Sequence, residues 1–198
     1  YNTNHKTGIV AFEGGFHGRT LGSLSATSNS NYRTPFEPLI PGVQFATFNS
    51  IESTHLSIND ETCAVIVEPI QGEGGIHIAT TDFLKTLRKL CDQHKAILIF
   101  DEVQCGLSRT GNLWAHKESN ITPDIMTLAK PLAGGLPIGA TLVTEEIAST
   151  IKPGDHGSTF AAGPLVSKAA QVVFDRVSNP NFIKNINDIG KYLIDSLN

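Results

Sequence analysis

Ala96-Ile97-Leu98-Ile99-Phe100-Asp101-Glu102-Val103-Gln104 is the stretch on which the reading of this chain turns. An apolar run ends abruptly in polar residues. A second run, Ile125-Met126-Thr127-Leu128-Ala129, ends in Lys130, followed by Pro131 and Gly134-Gly135. Short apolar runs bounded by turn residues read as buried strands of a parallel sheet. In open α/β sheets a ligand sits outside the carboxyl ends of such strands, so one strand offers a carboxylate to that crevice and a later one an amine. A lysine buried there is costly unless it does chemistry. Desolvation lowers its pKa and makes it a nucleophile suited to a Schiff base with a carbonyl compound.

The residues before the central stretch support the same architecture. Phe83, Leu84, Leu87, Leu90 and Cys91 recur at helical spacing, which predicts one apolar face over residues 81–94. Thr80 or Thr81 can cap that helix, and Asp82 is favourable in its first turn. Cys63-Ala64-Val65-Ile66-Val67 reads as the strand ahead of it, so strand, helix and central strand make a βαβ unit. Upstream, residues 7–12 predict a first strand that runs into the glycine-rich loop Glu13-Gly14-Gly15-Phe16-His17-Gly18-Arg19-Thr20 and a short helix over 21–26. Residues 29–41 read as surface connection and 43–48 as a strand. Downstream, a strand over 138–143, a short helix over 145–151 and helical pattern from 164 to 197, broken at Asn179-Pro180, complete the chain.

Composition narrows the class. The 198 residues suffice for one sizeable domain, and 40% apolar with 17% charged residues is an ordinary globular balance. A net charge of −4 gives no basic footprint for nucleic acid. No apolar run approaches the roughly 18 residues of a membrane span. Cys63, Cys91 and Cys105 are odd in number and scattered, which favours free thiols over a disulfide framework. His5, His55, His77, His94 and His116 show no metal-ligand grouping, although Glu52 and His55 have the spacing of a helical pair.

Asp101-Glu102 after an apolar strand also fits the Mg²⁺-binding carboxylate of a nucleotide hydrolase. That reading needs a Gly-x-x-x-x-Gly-Lys-Ser/Thr loop, which is absent. Each of the other marked residues has a plain alternative too. Lys130 could be a surface lysine lying over apolar residues, Phe16 plain core, Arg19 a solvated charge, and Asp155-His156-Gly157-Ser158-Thr159-Phe160 a turn.

Taken together, Asp101-Glu102-Val103-Gln104 and Ala129-Lys130-Pro131-Leu132-Ala133-Gly134-Gly135-Leu136-Pro137-Ile138-Gly139-Ala140 resemble the class III, or ω-amino-acid, aminotransferases, and within them the acetylornithine branch most. The resemblance implies the large domain of fold-type I enzymes that use pyridoxal 5'-phosphate: a mostly parallel seven-stranded sheet flanked by helices. It implies residues 1–178 as a partial cofactor-binding large domain and 179–198 as a helix leading towards a C-terminal domain not contained in this chain. Family members are longer, so the chain reads as an internal stretch without the phosphate-cradling loop. No address is readable; family precedent is the mitochondrial matrix in eukaryotes and the cytoplasm in bacteria.

By the same resemblance, Lys130 forms the Schiff base and shuttles the proton, and Asp101 pairs with the pyridine nitrogen. Glu102 also falls within the cofactor-binding motif, Val103 packs on the ring, Gln104 bonds its phenolic oxygen and Phe16 stacks on it. Arg19 binds the substrate carboxylate and Ser158 touches substrate. Thr159 donates to the cofactor phosphate of a neighbouring subunit, which implies a homodimer with a shared site. Ala161-Ala162-Gly163 departs from the Gly-Gly-Asn of many relatives. The implied reaction moves the δ-amino group of N-acetylornithine to 2-oxoglutarate, in arginine biosynthesis. Ornithine and 4-aminobutyrate are the alternative donors, and a truncated non-catalytic chain is the alternative of another class.

Overall fold

The computed structural model describes residues 6–197; His5 lies outside them. Two compact units emerge, residues 6–101 with 118–126 and residues 102–117 with 127–197.

In the first unit, β1 (Gly8–Phe12), β2 (Val43–Ala46), β3 (Thr62–Val67) and β6 (Ile97–Asp101) lie side by side in the order β2-β1-β3-β6. All three pairings are parallel. β7 (Ile125–Leu128) follows β6 with its first residues in this unit. Ala64 to Val67 pair with Ile97 to Phe100 in register. The next residues, Glu68 and Asp101, therefore lie side by side at the carboxyl ends of these two interior strands. This register carries the site, because it converts two separate stretches of sequence into neighbours.

Helix α4 (Thr81–His94) covers the sheet as its spacing predicts. Thr80 caps it by accepting from the Phe83 N–H at 3.3 Å, and Lys95, left-handed at φ +51°, ends it. Its buried face packs on Val10, Phe12, Val65, Val67, Leu98 and Phe100. Full burial of one such side chain contributes roughly 1.5–3 kcal/mol. Phe12 and Phe83 meet edge to face with centroids 5.1 Å apart. Asp124 joins helix to strand, accepting from the Leu98 N–H at 2.7 Å and from Arg88 Nη1 at 2.9 Å.

The remaining elements of this unit are short. They are α1 (Leu21–Ser25), α2 (Ser30–Arg33), α3 (Ile51–Ser57) and the hairpin of β4 (Ile70–Gln71) with β5 (His77–Ile78). The expected surface connection over 29–41 thus contains a helical turn, capped by the Asn29 side chain, which accepts from the Asn31 N–H at 3.0 Å. Helix α3, capped by Ser50, carries Glu52 and His55 on exposed positions. No three-residue metal grouping occurs among the described residues. The hairpin loop and the loop after β1 come so close that a methyl group on Gly74 would run into the Gly14 carbonyl.

In the second unit, β8 (Ala140–Val143) neighbours the end of β7. Helix α5 (Glu145–Ala148) is shorter than expected, because Ser149 and Thr150 hydroxyls bond back to the Glu146 and Ile147 carbonyls at 2.7 Å. Helices α6 (Pro164–Val177) and α7 (Pro180–Leu197) break where the sequence predicts. Helix α6 packs on the 3-10 turn Lys130–Ala133, whose Leu132 and Ala133 are buried. Ser108 Oγ donates to the Val177 carbonyl at 2.7 Å, and Asn187 Nδ2 to that of Gly111 at 2.9 Å. Against the seven strands implied by resemblance, the described residues supply six besides the β4–β5 hairpin.

Candidate active site

In the first unit the glycine-rich loop folds back over the carboxyl end of β6. His17 Nδ1 lies 2.7 Å from Asp101 Oδ2, and the two side chains are only 2% and 7% exposed. A carboxylate only accepts, so Nδ1 is the donor and the ring is the Nδ1–H tautomer or doubly protonated. The ring is oriented from behind: the His17 N–H donates to Thr27 Oγ1 at 2.9 Å. His17 Nε2 is buried without a partner among the described residues. Sequence reasoning gave His17 no role. The available signal was the general rule that loops leaving parallel strands share the carboxyl end of the sheet, where the loop after β1 and the end of β6 both lie.

Glu68 completes the cluster. It is 5% exposed and accepts from the Phe16 N–H at 3.4 Å. Burial pushes its carboxyl up to about 7; the Asp101 charge acts in the same direction, while His17 and the amides of Phe16 and Gly72 oppose it. The Glu68 carboxyl beside the Asp101–His17 pair is thus protonated in a large fraction of molecules near neutral pH, where an ordinary glutamate is fully ionised.

Phe16 and Arg19 lie on the same loop. The Arg19 Cζ stands 3.9 Å from the centroid of the Tyr32 ring and 5.8 Å from that of Phe16. Arg19 is exposed and has no acidic partner among the described residues. Its donors are therefore available to an anion.

The other predicted residues belong to the second unit. Glu102 is enclosed. Its Oε1 lies 2.6 Å from His116 Nδ1 and accepts from the His116 N–H at 3.0 Å, while Oε2 accepts from the Ala115 N–H at 2.9 Å. Both oxygens are thus spent on holding the turn at Ala115 and His116, and the Glu102 N–H bonds the Thr127 carbonyl at 3.0 Å. Val103 is half-buried and Gln104 exposed.

Lys130 departs from the expectation of a buried amine: its side chain is exposed, because the strand ends at Leu128 and the 3-10 turn carries the residue outward. Its backbone is unusual, with φ at +33°, a region unfavourable to residues with a Cβ. Such strain concentrates at functional positions. Ser158 and Thr159 lie in a segment, 148–162, that is exposed throughout. There Ala162 has φ +54°, in the left-handed region that favours glycine.

Comparison with known families settles the class. The model of the family described as aminotransferase class-III matches residues 1–198. The chain belongs to the class-III aminotransferases. Among curated members, it is 56% identical over 193 residues to the probable mitochondrial acetylornithine aminotransferase of Dictyostelium discoideum, covering 96% of this chain and 43% of that protein. It is 57% identical over 192 residues to the mitochondrial acetylornithine aminotransferase of Alnus glutinosa, with the same coverage. Identity is 49% to the succinylornithine transaminase of Salmonella typhi, over 98% of this chain and 48% of that one.

Solved aminotransferase structures agree with the fold. An ornithine aminotransferase from Toxoplasma gondii with partial occupancy of PLP at its active site matches with a TM-score of 0.90 at 30% identity, over 97% of this chain and 46% of that one. The N-acetylornithine aminotransferase of Stenotrophomonas maltophilia matches at 0.77 and 34%, over 98% and 44%. The chain thus spans less than half the length of these relatives.

Proposed function

We propose that the protein to which this chain belongs is a pyridoxal phosphate-dependent transaminase that moves the δ-amino group of N-acetylornithine to 2-oxoglutarate. The observation that carries the reading is the buried Asp101 carboxylate, held by His17 at the carboxyl end of an interior parallel strand. It fits the cofactor. A pyridine nitrogen needs an anionic acceptor in a dry place, and the orphan His17 Nε2 marks that place as polar and incompletely satisfied. When bound, pyridoxal phosphate supplies an electron sink for the bond that breaks.

The chain's own residues do the rest. Asp101 keeps the ring nitrogen protonated, and His17 fixes that carboxylate's orientation. Phe16 and Val103 would pack against the cofactor, and Gln104 would hold its phenolic oxygen. Glu102 lies in the same motif and would act by holding the turn at Ala115 and His116. Lys130 would hold the cofactor through Nζ and would carry a proton there, as base and then as acid. Arg19 grips the α-carboxylate of the donor through its planar fork. Ser158 contacts substrate, and Thr159 serves the phosphate of a partner subunit in a homodimer. Residues 1–178 then belong to the large domain and 179–198 lead out of it.

The succinylornithine transaminase relative favours N-succinylornithine as a second donor, since both acyl ornithines present the same carboxylate to Arg19. Borohydride reduction of the whole protein, followed by peptide mapping, places the reduced adduct on Lys130. Half-reactions with N-acetylornithine, N-succinylornithine, ornithine and 4-aminobutyrate then rank the donors. An adduct on another lysine refutes the role of Lys130. A protein that takes up no cofactor leaves a non-catalytic chain, and preference for 4-aminobutyrate refutes the substrate.

A further inference from the structure

Arg19 is exposed, and a free arginine samples many rotamers that a bound carboxylate would have to freeze out. Here the side chain already has a rest. Its Cζ lies 3.9 Å over the Tyr32 ring, and Phe16 braces that ring edge to face at a centroid distance of 6.1 Å and an interplanar angle of 87°. The platform is itself secured. Asn29 caps the helix that carries Tyr32, and the adjacent Arg33 stands 4.7 Å over the Phe45 ring of β2.

We propose that Tyr32 is a positioning residue for Arg19, setting the plane of its guanidinium and thereby the enzyme's preference for carboxylate-bearing donors. The inference rests on the reading that Arg19 holds the donor's α-carboxylate. Contact through the ring face spends no oxygen acceptor, so the N–H donors of the fork stay available while the plane is fixed. The Tyr32 hydroxyl has no partner among the described residues, so the ring face is the working part. The cluster also ties the residue that stacks on the cofactor to the residue that reads the carboxylate. A carboxylic acid of the right length is thus registered against the reacting centre, and an amine without a carboxylate gains nothing from it.

The test uses the whole protein with cofactor bound and an unreactive ligand, N-acetyl-L-norvaline, which keeps the acylated α-amino acid and lacks the δ-amine. Its Kd is measured by calorimetry. Tyr32→Leu weakens binding about two- to fivefold, the range of an exposed cation–π contact. Tyr32→Phe binds as wild type. In an Arg19→Ala background Tyr32→Leu has no further effect, which separates positioning from a general structural role. With N-acetylornithine, Tyr32→Leu raises KM by the same factor and leaves kcat and the cofactor's absorbance unchanged. An equal loss in both backgrounds, or no loss from Tyr32→Leu while Arg19→Ala weakens binding, overturns this inference alone. Unchanged binding in Arg19→Ala overturns it together with the proposed role of Arg19.

Discussion

Replacing Glu68 with glutamine should flatten the pH dependence of stability between pH 5.5 and 8. The side chain is 5% exposed, and its carboxyl is pushed from 4.5 to about 7 by burial, with the Asp101 charge adding to the effect. A folded-state value above the unfolded one means that the native protein holds the proton more tightly. The resulting stabilisation is complete below pH 4.5 and is lost as pH rises through 7. The full gap corresponds to roughly 3 kcal/mol, of which the window from pH 5.5 to 8 captures about 2 kcal/mol.

Glutamine keeps an acceptor for the Phe16 N–H and cannot ionise, so the variant should lack this loss. Urea unfolding at both pH values, wild type against Glu68→Gln, gives the difference free of the titrating groups that are not coupled to Glu68. Wild-type and variant stabilities that run parallel with pH would refute the reasoning. So would a ¹³C carboxyl titration placing Glu68 near 4.5.

Asp101→Asn should retain cofactor yet lower turnover by several orders of magnitude, because a charged acceptor of the ring proton acts chiefly in the transition state; near-normal turnover would make the carboxylate structural. His17→Ala removes a charge-assisted hydrogen bond worth about 1.5–3 kcal/mol, so kcat should fall roughly 10- to 100-fold, with the cofactor's absorbance shifted as Asp101 loses its orientation. Cys91 should resist thiol reagents at pH 8 until the protein unfolds, since burial pushes its thiol up to about 12, while half-buried Cys63 reacts first; mass spectrometry after brief labelling reads the order.

Much of this was legible in the residues. Helix α4 falls on Thr81–His94 as the spacing of Phe83, Leu84, Leu87, Leu90 and Cys91 predicts, because amphipathic period and cap agree there. Strands β1, β3 and β6 followed from apolar runs ending in turn residues. Helices α2 and α3 escaped notice because they are short and hydroxyl-rich, held by the caps at Asn29 and Ser50 rather than by an apolar stripe. The pairing of His17 with Asp101 joins residues 84 apart in sequence, and only strand register brings them together. Glu102 and Asp101 are adjacent in sequence and alike in chemistry, yet one is spent on Ala115 and His116 and the other meets His17. Alternation along an extended backbone separates them, and no local pattern says which faces the site. The exposure of Lys130 was hidden for a related reason: the apolar run continues through Ala129, but the strand does not.

The positive φ of Lys130 has a consequence for how this sequence is maintained. At that backbone angle glycine is the residue that fits without penalty, and a side chain with a Cβ costs on the order of 1–2 kcal/mol. Drift towards a sturdier protein would therefore erase the amine. Lys130→Gly should unfold no more easily than wild type and be inert, so position 130 is held against the preference of its own backbone. In a library of random variants selected for solubility alone, this lysine should be among the first of the site residues to disappear.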